Sequence, residues 1–287
     1  MEIQENKATR TQGDHLFRLR LSNRATQRIK KVWKKQEKFI LEEIKNLSMF
    51  KITLKKNELS DKDKNEIGKA VDKIPGKEEY AKVMEATWSA SLLRGGKTIN
   101  RQLDLGISYS LKNKEAIEWL KNKKIFETAP VNSPAWTKAR DFLRLSDYRG
   151  NIDFTTKEKI KAILEKAANE GWSYQKTAKL IQEQGEAGVF SLARGREIAV
   201  REIGIAYSEG KVQVMDEAYE KYSDRKIEKA WSTANDSKVR ASHMANQNLG
   251  WIEYKKTFTG TGDDHAPSSD YACRCATLYR ISPPKKK

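Results

Sequence analysis

Four side chains towards the C-terminus have the chemistry to hold a soft metal ion: His243, His265, Cys273 and Cys275. Both cysteines of the protein and two of its three histidines fall in this segment. Thiolates and imidazoles are donors that zinc favours, and four of them complete a tetrahedron. The Cys-x-Cys spacing is tighter than the two-residue gap usual in zinc sites. Two other readings use the same residues. In one, a cysteine nucleophile is served by a histidine base, which needs only one of the thiols. In the other, Cys273 and Cys275 lie on one face of a strand and pack a small core, with the histidines hydrogen-bonded. A zinc deaminase is argued against, because neither His-x-Glu nor Pro-Cys-x-x-Cys occurs.

The elements that must position these groups form a compact pattern. Ile227–Thr233 alternates as a strand, and Trp251–Phe258 and Cys273–Ile281 read as two more. Asn235-Asp236-Ser237 offers caps for a short helix reaching His243, and Gly260-Thr-Gly262-Asp263-Asp264 is a turn. Arg240 and Arg274 could pair with Asp236 in a fixed network. A small sheet with an inserted helix satisfies the whole segment.

Everything before Ser223 reads as helix after helix. Leu21, Ala25, Ile29, Val32, Phe39, Ile40, Ile44 and Leu47 recur at three- and four-residue steps, predicting an amphipathic helix over 16–47. Between Arg18 and Lys38 the only acid is Glu37, and Arg24, Arg28, Lys31, Lys35 and Lys38 repeat at helical spacing. They form one basic stripe suited to a phosphate backbone or an acidic protein surface; the plainer alternative is a solvated face. Ser60-Asp61 opens a helix that stops at Pro75-Gly76. A helix from Lys77 to Arg94 is interrupted at Gly95-Gly96, and short helices follow over 98–105 and 111–124. Gly95-Gly96-Lys97-Thr98 lacks the first glycine and the preceding strand of a phosphate loop, so it reads as a turn. Pro130 and Pro134 mark a linker before a helix over 135–148. Thr155-Thr-Lys-Glu158 has the form of a capping box, Ser173 opens a helix ending at Gly185, and a long helix begins near Ser191. In it, Gly204 and Ala206 would let a neighbouring helix approach closely.

The expected fold is therefore mainly α: an elongated multi-helix body followed by a small C-terminal α+β domain with a short β-sheet. Its parts are a basic helical region over 1–150, a helical hairpin plus a long helix over 151–225, and the α+β domain over 226–287. A net charge of +17 and a pI near 9.6 point to a polyanionic partner. No apolar run reaches the length of a membrane span, and the first residues lack the apolar core of a signal peptide. Two cysteines one residue apart argue against a secreted disulfide scaffold and for synthesis in a reducing cytoplasm.

The run Trp231-x4-Asp236-Ser-x-Val239-Arg240-x-Ser242-His243, followed by Cys273-Arg274-Cys275, resembles the C-terminal signature of the phage Mu F-like head morphogenesis family, the phage minor head proteins. Glu170-Gly171-Trp-Ser173, Arg194-x-Arg-Glu-Ile198-Ala199-x-x-Glu202 and Ala206-Tyr-Ser-Glu-Gly210 are similar to its helical block, so the resemblance covers roughly 150–281. Val200 stands where that family usually has arginine, and the additional upstream cysteines that complete a metal site in some relatives are missing here. The resemblance implies a non-enzymatic minor capsid protein, internal to the head near the portal, with structural roles for Trp231, Asp236, Arg240, His243 and Arg274. It implies help with procapsid assembly and with DNA packaging or ejection. The implied partners are portal protein, scaffold or major capsid protein, and packaged double-stranded DNA. It implies a virion component made in the host bacterial cytoplasm, with no cofactor required and zinc as the one candidate. The competing reading is a metal-dependent enzyme or toxin-like effector built on the same His/Cys cluster.

Overall fold

A computed structural model describes residues 12–47, 50, 60–128, 152–184, 188, 190–266, 273 and 275–283. Among them are eight helices and three strands. In chain order these are α1 (Gln12–Ile44), α2 (Asp61–Asp72), α3 (Lys77–Gln102), α4 (Lys114–Thr128), α5 (Ile152–Asn169), α6 (Tyr174–Glu183), α7 (Leu192–Lys221), β1 (Ile227–Ser232), α8 (Ala241–Asn248), β2 (Trp251–Glu253) and β3 (Ala276–Ile281). The mainly α class with a small C-terminal sheet is thus what the chain adopts. The helix expected over 135–148 and its proline linker lie outside the described residues. The chain divides into two compact units: Met1–Leu21, Ala86–Lys121 and Val200–Lys287 form the first, Ser22–Glu85 and Asn122–Ala199 the second.

In the second unit the apolar spacing of α1 works as read. Ala25, Ile29, Val32, Trp33, Ile40 and Ile44 are buried, and the Trp33 ring packs 6.3 Å from Phe190. Ser60 caps α2 reciprocally: the Asp63 amide donates to Ser60 Oγ at 3.2 Å, and the Ser60 amide donates to Asp63 Oδ2 at 3.2 Å. The α2 helix packs on α5, and α5 on α6.

The Thr155–Glu158 box does not mark the start of its helix. Helix α5 begins upstream at Ile152, so Thr156 sits inside the helix, buried, and accepts from Arg194 Nη1 at 3.2 Å. The cap expected at Ser173 is present, with the Lys176 amide donating to Ser173 Oγ at 3.2 Å. Replacing Ser173 by alanine should cost about 1 kcal/mol, read as a lower urea midpoint with an unchanged m-value.

In the first unit, Gly95 and Gly96 do not interrupt a helix; α3 runs straight through them. A Cβ on Gly95 would meet the carbonyl oxygen of Tyr207, and one on Gly96 the ring of Tyr109. On the facing helix, a Cβ on Gly210 would meet the carbonyl oxygen of Leu92. These glycines let the backbones of α3 and α7 come together, and that packing offsets the roughly 1 kcal/mol a helical glycine costs against alanine. The approach is made at Gly210, not at Gly204, around which a Cβ would find open space. The α3 helix ends in a turn through Asp104 and Gly106, both at positive φ.

Ile99, Leu105, Ile107, Tyr109, Val214, Met215, Ala218, Ile227, Tyr254 and Tyr279 form one apolar core of this unit. Its sheet is antiparallel in the order β2-β1-β3. Glu228 stands opposite Glu253 and Arg280, and Trp231 opposite Thr277. Two expected strands are shorter than read. Strand β2 stops at Glu253, where the Lys256 amide turns back to the Glu253 carbonyl at 3.0 Å. Strand β3 starts only at Ala276, beyond both cysteines.

Candidate functional site

Central β1 is buried along nearly its whole length. Its side chains alternate between faces, so Ile227, Lys229 and Trp231 share one side of the sheet. Trp231 is the pivot of the local core, together with Phe258, Ala266 and Cys275. Its ring meets Phe258 at 5.1 Å and 78°, and His243 at 5.6 Å and 75°, both edge to face.

Helix α8 packs on β1 and delivers His243 into this core, where it is 2% exposed. The helix starts differently from the sequence reading. Asn235-Asp236-Ser237 does not cap it; the N-cap is Arg240, whose side chain makes no capping hydrogen bond. Asp236 Oδ1 instead accepts from the Lys238 amide at 3.0 Å, a local turn. Asn235 takes a φ of 52° and accepts from Gln247 Nε2 at 2.8 Å, while Gln247 Oε1 accepts from the Thr233 amide at 2.9 Å. Buried Asn246 ties the next turn to the same helix: its Nδ2 donates to Thr261 Oγ1 at 2.8 Å, and its Oδ1 accepts from the Gly260 amide at 2.7 Å. Polar contacts on two sides therefore hold the imidazole in place.

His243 Nδ1 lies 3.3 Å from Cys275 Sγ and 3.6 Å from Cys273 Sγ. The donor atoms of His243, Cys273 and Cys275 all fall within 4.8 Å of one another. His265 is not part of this cluster. It sits beyond the turn, where burial first and then the Lys229 ammonium hold its pKa below the ordinary histidine value. Arg274, between the two cysteines, lies outside the described residues.

The motif positions on α7 make specific contacts. Glu202 is buried and accepts from Trp88 Nε1 at 2.9 Å. Tyr207 lies under the Arg18 guanidinium at 5.1 Å. Ser208 Oγ donates to the Ala266 carbonyl at 2.6 Å, and Lys211 Nζ to the Thr277 carbonyl at 3.0 Å, fastening the head to the helix. Glu209 Oε1 accepts from Gln213 Nε2 at 3.0 Å, and Gln213 Oε1 accepts from the Tyr109 hydroxyl at 2.6 Å. Apart from the Glu209–Gln213 pair, these pairings could not be read locally, since each joins residues far apart in the chain.

Burial raises the Glu209 carboxyl from 4.5 to about 7, against the lowering effect of the Gln213 hydrogen bond and with a smaller push from Asp216. The folded chain therefore holds this proton more tightly than the unfolded chain. The resulting stability is complete below about pH 4.5 and lost as pH rises through about 7. Glu209→Gln should flatten the fall in urea midpoint across that window, and an unchanged pH profile would contradict the assignment.

The other candidate surface is on α1. Arg24, Arg28, Lys31, Lys35 and Lys38 are all exposed, opposite the buried apolar face. At about 100° per residue they occupy an arc of roughly 80° and a length of about 21 Å. Lys35 also reaches Glu79 Oε1 at 3.3 Å in an exposed pair, a contact of little energetic weight.

No described helix is long and apolar enough to cross a membrane. No curated protein and no solved structure matches the chain. Residues 158–278 do match a family model, described as Phage Mu protein F like protein. That span holds the α7 motif residues, the Trp231–His243 pair and both cysteines, and over it the chain is similar to the Phage Mu protein F like family.

Proposed function

We propose that this protein is a non-enzymatic minor head component of a phage. In this reading it aids procapsid assembly and DNA packaging or ejection from inside the head near the portal. The family match over residues 158–278 supports a head morphogenesis role. The observation that carries the binding part is the basic face of α1: five cations exposed on one side of a helix whose other side is core. Such a face fits a row of phosphates on packaged double-stranded DNA. The domain over 226–287 acts as the docking module for the portal, scaffold or major capsid protein, and the two helical regions before it are the body. Nothing in this role requires bond-making chemistry, and the tightly packed His243 environment suits a structural part.

The test is binding of the full chain to duplex DNA over a range of salt. Affinity should fall steeply as salt rises, because counterion release drives phosphate contacts. Absence of binding at low salt, or binding indifferent to salt, would overturn the DNA assignment.

A further inference from the structure

We propose that His243, Cys273 and Cys275 bind one zinc ion through His243 Nδ1 and the two Sγ atoms, without His265, and that the ion clips α8 to the start of β3. The inference stands on the local geometry and does not depend on the head-protein role.

The distances carry the argument. Zinc–sulfur and zinc–nitrogen bonds of about 2.3 and 2.05 Å at a tetrahedral angle separate nitrogen from sulfur by about 3.55 Å. The two nitrogen–sulfur separations are 3.3 and 3.6 Å, already the edges of such a polyhedron. Hydrogen bonding suits the same arrangement less well. One ring nitrogen offers a single hydrogen or a single lone pair, so it serves one sulfur at a time. A shared cation serves all three donors.

Charge points the same way. Two thiolates and a neutral imidazole around a divalent ion give a neutral unit. Such a unit can be kept beside Trp231 and Phe258 at low desolvation cost. Soft sulfur donors select zinc over calcium or magnesium. Three protein donors leave the fourth tetrahedral position to a water molecule. The ion would join residues 32 positions apart in sequence, and the α8 end of the link is already fixed by Asn246 and Gln247. Binding of that kind contributes directly to folding stability.

The experiment uses the full chain purified without chelator, with metal counted by mass spectrometry and cobalt added to the metal-stripped protein. The expected result is about one equivalent of zinc, a thiolate-to-cobalt charge-transfer band, and a lower Tm after chelation. The band should be lost in Cys273→Ser and Cys275→Ser and retained in His265→Gln. If the cysteine variants fail to fold, the wild-type cobalt spectrum still decides. A folded wild-type chain with neither zinc nor a cobalt–thiolate band overturns the proposal. Loss of the band in a folded His265→Gln variant overturns the three-residue assignment.

Discussion

Gly210→Leu should destabilise the first unit by about 3 kcal/mol or more, the upper range for forcing atoms into a close-packed contact. A Cβ at this position would strike the carbonyl oxygen of Leu92, with the carbonyl carbon at 2.8 Å and the Gly96 amide nitrogen at 3.0 Å. These are backbone atoms of α3, so no rotamer change can relieve the clash; the two helices must separate. Separation would disturb the contacts at either side of the crossing. One is the hydrogen bond from Ser91 Oγ to the Ile203 carbonyl at 2.7 Å, and the other joins Tyr109 to Gln213. The control lies six residues earlier on the same helix. Gly204→Ala meets nothing within 4 Å, so it should gain roughly 0.5–1 kcal/mol from helix propensity alone. Thermal or urea unfolding of the two variants checks both signs. A neutral Gly210→Leu would mean that α3 and α7 do not cross there.

Neutralising the α1 stripe should have the largest effect on binding. With Arg24, Arg28, Lys31, Lys35 and Lys38 all changed to Gln, the slope of log affinity against log salt should become shallower by about 4 to 5, near 0.9 for each phosphate left without its cation. Five such phosphates correspond to a roughly 500-fold weakening of the wild-type chain over a fourfold rise in salt. The fold should survive, because all five side chains are exposed and the apolar face beneath them is untouched. Circular dichroism verifies the helix, and fluorescence anisotropy with labelled duplex reads the slope. A variant that binds with the wild-type slope would move the DNA contact away from α1. Glu37 is the lone acid between Arg18 and Lys38, and burial raises its carboxyl above the ordinary value, against the pull of Lys34.

Local rules were enough for the parts of the fold that local physics decides. The apolar spacing of α1, the caps at Ser60 and Ser173, and the strand at Ile227 each depend on a few neighbouring residues, and each lies where the sequence puts it. The errors have a common physical cause. Gly95-Gly96 looks like a stop, because glycine disfavours a helix by propensity, yet α7 supplies a packing partner that no local window contains. Thr155–Glu158 has the letters of a capping box, but the buried Thr156 is needed inside the helix as an acceptor for Arg194. Asn235 and Asp236 serve a corner that Gln247 and Lys238 stabilise, and the start of α8 is left to Arg240.

The candidate site divides along the same line. Residue types alone singled out two histidines and two cysteines, with a Cys-x-Cys spacing tighter than the gap usual in zinc sites. Which histidine faces them depends on the placement of α8 against β1, a tertiary outcome. The geometry selects His243, leaving His265 beside Lys229. The basic stripe was fully legible, since its exposure follows from the apolar residues on the opposite side of one long helix.

Membership of the assembled phage head is the central claim of the proposed function. Particles should be assembled from the head proteins with this chain co-expressed, purified at high salt, treated with nuclease and protease, and measured by quantitative mass spectrometry. The account predicts a few copies per particle, protected from protease by the shell and released when it is opened. Particles that contain none of the chain, or that lose all of it to protease while intact, would contradict an internal head protein.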